Sequence, residues 1–164
     1  MISLRHELGD RWPERSDQLT REIQLGLENA ERTLNLDRAA AAEGYRRQVN
    51  ETMADLCDQG DVVLTSTNPD VAFAAEGPMP TTVGERDLRA EMGLGRALGN
   101  HGALTIPANI AGNPAVSVPA GEVDGLPAGL QILGRHHEET VLLDLARVLE
   151  RDRPWPLVAP SAPC

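Results

Sequence analysis

The sequence predicts an α/β fold, and three observations predict it. Continuous apolar runs stand at Asp61–Thr65, Ala115–Pro119 and Ala128–Leu133, the pattern of short strands buried in a sheet. Between and around them, apolar residues recur at helical spacing with Asp, Glu and Arg in the gaps, so helices and strands alternate along the chain. The length, 164 residues, suits one domain able to remove roughly 70% of its unfolded surface from water.

Residues 16–58 read as a helical arm. Ser16 is placed to open a first helix in which Leu19, Ile23, Leu27 and Ala30 share a face. Leu34–Asp37 interrupts that pattern, and Asp37 can cap a second helix from Arg38 to Cys57, with Ala41, Tyr45, Val49, Met53 and Leu56 as its stripe. Gln59-Gly60 is its stop.

Residues 61–160 read as the sheet-forming region. Asp61–Thr65 is expected as a strand buried on both faces. Residues 66–84 are expected as loop, since Pro69, Gly77, Pro78, Pro80 and Gly84 deny regular structure. Glu85–Leu98 is helical by composition but weakened by Gly93, Gly95 and Gly99, and Asn100-His-Gly102 ends it. Residues 103–114 read as irregular. Ala115–Pro119 and Ala128–Leu133 are two short strands separated by the turn-rich 120–127. His137–Leu149 is an amphipathic helix with Glu138 and Glu139 at its positive end and Leu142, Leu145, Ala146 and Leu149 on its buried stripe. The prolines from Pro154 onward require an extended tail.

Composition then removes whole classes of chemistry. The chain carries 15 basic and 25 acidic residues, a net charge of −10. Every basic residue is arginine, so no Schiff base, lysine-activated nucleophile or P-loop lysine can come from these residues. An acidic chain is a poor phosphate-backbone binder, and Trp12, Tyr45, Phe73 and Trp155 leave little for base stacking; no direct contact with nucleic acid is expected. Arginine in place of lysine with abundant Asp and Glu fits a GC-rich genome or adaptation to high salt, and a haloarchaeal or other GC-rich source is expected. Cys57 and Cys164 have no paired spacing. No run approaches ~18 apolar residues and the start lacks an apolar leader, so a cytoplasmic protein without membrane attachment is expected.

Motif by motif, little chemistry survives. His136-His137-Glu138-Glu139 lacks the second histidine four residues on that a zinc helix needs; Val141 stands there. Gly93-Leu-Gly-Arg-Ala-Leu-Gly99 has its third glycine one place late for a dinucleotide turn, and no strand precedes it. None of Ser3, Ser16, Ser66, Ser117 and Ser161 lies in a G-x-S-x-G elbow. No catalytic residue, metal ligand or cofactor site follows from spacing.

One stretch is specific. Thr105-Ile-Pro-Ala-Asn-Ile-Ala-Gly-Asn-Pro-Ala-Val-Ser-Val-Pro-Ala-Gly121, followed by Gly125-Leu-Pro-Ala-Gly-Leu-Gln-Ile-Leu-Gly134, resembles the C-terminal part of the amidase signature family, which includes free amidases and the A subunits of glutamyl- and aspartyl-tRNA amidotransferases. Tyr45-Arg-Arg, Asp61-Val-Val-Leu-Thr-Ser-Thr-Asn-Pro69, Glu138-Glu-Thr-Val-Leu-Leu and Pro154-Trp-Pro extend the resemblance over residues 10–160. It implies the C-terminal portion of an α/β/α sandwich with a mixed central sheet, a single partial domain over 1–164 preceded by the helical arm.

The resemblance also implies a reaction: hydrolysis of a carboxamide to acid and ammonia through an acyl-serine. Its nucleophilic serine, bridging serine and base lysine sit in an N-terminal Gly/Ser-rich signature that has no counterpart here. Two smaller departures accompany this: the proline usual at Ser66 is missing, and Gly102 replaces an aspartate carried by glutamine-using members. The second departure favours a general amidase over a tRNA amidotransferase. The resemblance therefore implies an N-terminal amidase half as partner, or self-association, with a small carboxamide as substrate once the unit is complemented. A non-catalytic amide- or acid-binding module and a decayed remnant are the alternatives. Thr67, Asn68, Thr105 and Asn109, at strand ends or in the following loops, are the candidate pocket-wall residues; loop capping and turn hydrogen bonds are their competing role.

Overall fold

The computed structural model describes residues 2–76 and 79–156. Gly77, Pro78, Ser161, Cys164 and the tail beyond residue 156 lie outside the described residues. The chain divides into two compact units, residues 1–45 and 46–164.

The first unit holds α1 (Ile2–Leu8), a 3₁₀ turn at Gly9–Arg11, a second at Ser16–Gln18, α2 (Arg21–Thr33) and the start of α3 (Leu36–Asp58). Ser16 therefore begins a separate turn, and the helix starts five residues later, with Thr20 as its N-cap. Gln24 explains the delay: its Nε2 donates to the carbonyls of Ser16 and Leu19 at 2.7 and 2.9 Å, holding the turn folded back on the helix. α2 buries Leu27 completely. Asn35, not Asp37, caps α3: its Oδ1 accepts the Arg38 N–H at 2.9 Å, satisfying a donor that the first helical turn cannot. Arg5 Nε and Trp12 Nε1 both donate to Glu31 Oε1, at 2.9 and 2.8 Å. These two bonds, Arg5 first, hold the Glu31 carboxyl below its ordinary range.

In the second unit the expected stripe of α3 is buried only toward its end. Met53 and Cys57 are buried and Val49 half-buried, whereas Leu56 is exposed, as is Tyr45 at the end of the first unit. Then follow β1 (Val63–Ser66), the small hairpin β2 (Thr82–Val83) and β3 (Arg86–Asp87), α4 (Leu88–Met92), α5 (Leu94–Gly99), a 3₁₀ turn at Asn100–Gly102, α6 (Ile106–Ala111), β4 (Ala115–Val123), β5 (Leu126–Leu133) and α7 (Glu139–Asp152).

Several expectations shift. The 85–98 helix is two helices broken at Gly93, whose φ of +82° suits only glycine; Asp87 Oδ1 caps the first by accepting the Ala90 N–H at 3.1 Å. The irregular 103–114 segment contains α6, started by Pro107 in its first turn and stopped by Gly112 in the left-handed region. The turn-rich 120–127 stretch is mostly strand: a register shift between Pro119 and Glu122 absorbs Gly121, and only Asp124-Gly125, both at positive φ, make the two-residue turn. His137 lies outside α7 at φ +66°.

The sheet order is β1-β5-β4, with both pairs antiparallel. On one face, Leu133 packs with Met53 of α3 and Ala108 of α6, and with half-buried Val49, Val63 and Ala111. Ile132 and Val118, on the other face, are also buried, and α7 packs against β4. Leu142 of α7 comes so near Gly134 that a Cβ there would sit 3.2 Å from its Cδ2. Within this second unit, α3, α6 and the sheet share a hydrophobic cluster. β1, an edge strand of the three described, is not buried on both faces: Val63 and Thr65 are half-buried, while Ser66 and Leu64, the latter 58% exposed, are on the open face.

Candidate functional site

The polar residues of this sheet gather on the face that also carries Leu133. Register places Thr65 beside Gln131 and Gln131 beside Ser117, with Gly129 beside Pro119. Gln131 is 4% exposed, and a buried amide must find partners. Its Nε2 donates to Thr65 Oγ1 at 3.0 Å and to the Leu104 carbonyl at 2.8 Å. One side chain thus ties β1, β5 and the segment leading into α6. Thr65 Oγ1 passes the chain on by donating to the Ser66 carbonyl at 3.0 Å.

Thr67 continues the same row. Its N–H donates to the Gly129 carbonyl at 2.8 Å, and its Oγ1 lies 2.5 Å from Ser117 Oγ. The hydroxyl pair sits directly over Gly129, where a Cβ would come within 2.6 Å of Thr67 Oγ1 and 3.1 Å of Ser117 Oγ. Only glycine leaves room for it. Thr105 is half-buried, one residue after the carbonyl that Gln131 holds, and its own Oγ1 donates weakly to the Gly102 carbonyl at 3.4 Å. Asn109 follows a turn later, exposed on α6, and Asn68 is exposed beyond Thr67.

Of the four sequence candidates, Thr67 and Thr105 stand on segments that Gln131 joins, while Asn68 and Asn109 lie at their outer ends. Sequence reasoning missed Gln131 and Gly129 as site-forming residues. An amide inside an otherwise apolar strand was the available signal for the first. Ser117 stood in the serine inventory without a partner; the partner is Thr67, fifty positions away.

The loop between β1 and β2 is tied down at two points. Asp70 accepts the Val71 and Gly84 N–H groups at 2.8 and 3.0 Å, and these bonds, Gly84 first, hold its carboxyl below its ordinary range. His101 Nε2 lies 2.9 Å from the Pro80 carbonyl, and its ring stacks at a tilt on Phe73 with centroids 5.0 Å apart. Arg135, just after β5, donates to the carbonyls of Cys57 and Gly60 at 2.7 and 3.2 Å, a cation on the C-terminal end of α3.

No group of three or more His, Cys, Asp or Glu side chains that could hold a metal occurs among the described residues. In the first unit, an open cleft of about 620 Å³ is lined by Arg5, His6, Gly9, Asp10, Trp12 and Glu14. None of the four candidate wall residues lines it.

Fold and site together define a sheet-bearing α/β module in which Thr65, Gln131, Ser117 and Thr67 form a hydrogen-bonded polar row. The comparisons with known proteins name its family. The profile described as Amidase matches residues 8–143, and the chain belongs to the amidase signature family. The A subunit of glutamyl-tRNA(Gln) amidotransferase from Listeria monocytogenes serotype 4a is 33% identical over 113 residues, 68% of this chain and 20% of that protein. Its namesake from Saccharophagus degradans is 32% identical over 123 residues, 74% of this chain and 22% of its own. Among solved structures, a bacterial aryl acylamidase of the amidase signature family superposes with a TM-score of 0.69 at 26% identity, covering 94% of this chain and 31% of that one. The A subunit of glutamyl-tRNA(Gln) amidotransferase from Thermotoga maritima gives 0.57 at 29% identity over 85% and 28%. The chain thus spans about one fifth of the curated relatives it matches.

The family stretch now has a physical reading. Gly112 ends α6, Gly125 makes the hairpin turn, Gly129 admits the hydroxyl pair, Gln131 bridges three segments and Gly134 admits Leu142.

Proposed function

We propose that this chain is the C-terminal, sheet-completing portion of an amidase unit that hydrolyses a small carboxamide to acid and ammonia through an acyl-serine. The observation that carries the reading is a conjunction: a family match over residues 8–143 and not one lysine among 164 residues. The nucleophilic serine, its bridging serine and the base belong to residues outside this sequence. The chain's own part is to complete the domain and wall the pocket with Thr67, Asn68, Thr105 and Asn109. Gln131 supports this role by fixing the strand and the helix start on which Thr67 and Thr105 stand. The reaction so written calls on no cofactor and no metal.

A second reading, part of the A subunit of a tRNA-dependent amidotransferase, is favoured by the names of the curated relatives and opposed by Gly102. In either case the setting is the cytoplasm of a GC-rich or salt-adapted cell. Among the described residues no helix is long and apolar enough to cross a membrane.

The test mixes the purified chain with an amidase portion that carries the Gly/Ser signature and its lysine, and measures ammonia released from simple amides. Co-purification with ammonia release supports the reading, and glutamine as the only accepted amide shifts it to the amidotransferase. The absence of both co-purification and ammonia release overturns it. Amide- or acid-induced stabilisation of the lone chain in that case marks a binding module.

A further inference from the structure

The two segments that carry the candidate wall residues are joined twice. At the base, Gln131 ties Thr65, just before Thr67 in the chain, to the carbonyl of Leu104, just before Thr105. Further out, His101 Nε2 lies 2.9 Å from the Pro80 carbonyl, and the His101 ring meets the Phe73 ring at 47° with centroids 5.0 Å apart. Thr67, Asn68 and Thr105 stand in the chain between the two ties. The base is polar, with the hydroxyls of Thr67 and Thr105, whereas the outer end is aromatic and apolar. Phe73 is 50% exposed and Ile106 44%. Scattered apolar side chains on a surface need no explanation. These two are gathered at one place: Phe73 stacks on His101, and Ile106 lies against the next residue, Gly102, where a Cβ would come within 2.6 Å of its Cδ1. The loop that carries Phe73 is also held, by the bonds of Asp70 to the Val71 and Gly84 N–H groups.

Charge narrows what this wall can meet. Apart from His101, Asp70 is the only ionisable side chain in residues 67–73 and 100–109, and both of its oxygens already accept main-chain N–H groups. Neither segment holds an arginine to meet a substrate carboxylate, and Asp70, engaged at both oxygens, is the only carboxylate that could meet an ammonium group. A charged group brought against this wall would lose water without gaining a partner. An uncharged planar ring loses little water and gains the offset or tilted contact that aromatic pairs prefer.

We propose that Phe73, together with Ile106, is the specificity-determining part of the wall, and that the substrate is an uncharged carboxamide bearing an aryl group. The aryl group rests on Phe73, and the amide end lies toward the hydroxyls of Thr67 and Thr105, an apolar pocket with a few placed polar groups. This names the substrate class of the reading under Proposed function and rests on it.

The chain holds a single phenylalanine, so its ring reports binding directly. The test titrates benzamide, butyramide and glutamine into the chain labelled with ¹³C-phenylalanine, alone and with the lysine-bearing amidase portion, and follows the Phe73 resonances by NMR. The paired chains are also assayed for ammonia. Benzamide is expected to shift the Phe73 resonances saturably while butyramide and glutamine do not, and its kcat/KM is expected to exceed theirs by about tenfold or more. Phe73→Ala and Phe73→Leu lower the benzamide-to-butyramide ratio of kcat/KM about tenfold, and Phe73→Tyr keeps it. A side chain that only held the loop would lower both amides alike. Three results each overturn the proposal: Phe73 resonances unmoved by benzamide in the lone chain and in any complex it forms, glutamine or butyramide turned over as well as benzamide, or a ratio that Phe73→Ala leaves where it was. The two readings fail separately. Benzamide seated on Phe73 while no amide yields ammonia refutes only the catalytic reading. Ammonia from glutamine or butyramide with Phe73 unmoved refutes only the aryl assignment.

Discussion

Replacing Gln131 by methionine is the sharpest perturbation of the site. Methionine keeps the unbranched length and the apolar contacts but removes both donors of Nε2. Two hydrogen bonds are lost, to Leu104 at 2.8 Å and to Thr65 at 3.0 Å, each worth about 1 kcal/mol net. The Leu104 carbonyl is left without this donor beside a residue only 4% exposed, which adds about 1 kcal/mol or more. The expected loss is therefore about 2–4 kcal/mol. With a urea m-value of about 2 kcal/mol/M, the midpoint falls by roughly 1–2 M when followed by far-UV circular dichroism. Gln131→Glu supplies a sign test at the same atoms. Only the protonated acid can donate to the Leu104 carbonyl, and burial disfavours the carboxylate, so the folded pKa lies above the unfolded value of about 4.3. Stability of that variant is fully present below the unfolded pKa and is lost as pH rises through the folded one. A methionine variant whose midpoint moves by less than about 0.3 M, with a glutamate variant indifferent to pH, would refute the bridging role.

Three further outcomes follow from particular contacts. Gly129→Ala places a Cβ 2.6 Å from Thr67 Oγ1 and is expected to cost about 1–3 kcal/mol; Thr67→Ala in that background should return part of it in a double-mutant cycle of urea midpoints. Gly112→Ala and Gly44→Ala should differ in sign in thermal melts. The first forces alanine to φ +82° at the end of α6 and costs about 1–2 kcal/mol; the second meets open space inside α3 and gains about 0.5–1 kcal/mol. Glu31, whose folded pKa is depressed by Arg5 and Trp12, contributes stability that is present above its unfolded pKa and lost as pH falls through the folded one. Trp12 fluorescence in a Trp155→Phe chain should report that acid transition, and Glu31→Gln should remove it.

Much of the fold was legible because it rests on local patterns. The runs at 61–65, 115–119 and 128–133 are strands or strand cores, and the stripe at Leu142, Leu145, Ala146 and Leu149 does face inward on α7. The misses share one cause. Glycine and proline were read as breakers, yet Pro107 and Gly112 bound α6 rather than prevent it, and Gly121 bulges β4 rather than ending it. The start of α3 differs because Asn35 supplies the capping bond instead of Asp37, and α2 starts at Arg21 because residues 16–18 form a separate turn. In the candidate site, Thr67 and Thr105 stand out in the sequence as polar residues beside apolar segments, whereas the hydrogen bonds by which Gln131 joins those segments do not.

The sequence by itself determined the family stretch, the acidic balance and the missing lysine, since each is a matter of which residues are present and in what order. Only the tertiary structure decided what those residues do. A hydrogen bond between Thr67 and Ser117, or from Gln131 to Leu104, joins positions 50 and 27 apart. Such pairs become neighbours only when β5 is laid between β1 and β4, and no local spacing encodes that order. The same holds for the exposure of Leu64 on β1. Whether a short apolar strand is covered on both sides depends on what stands next to it in the sheet.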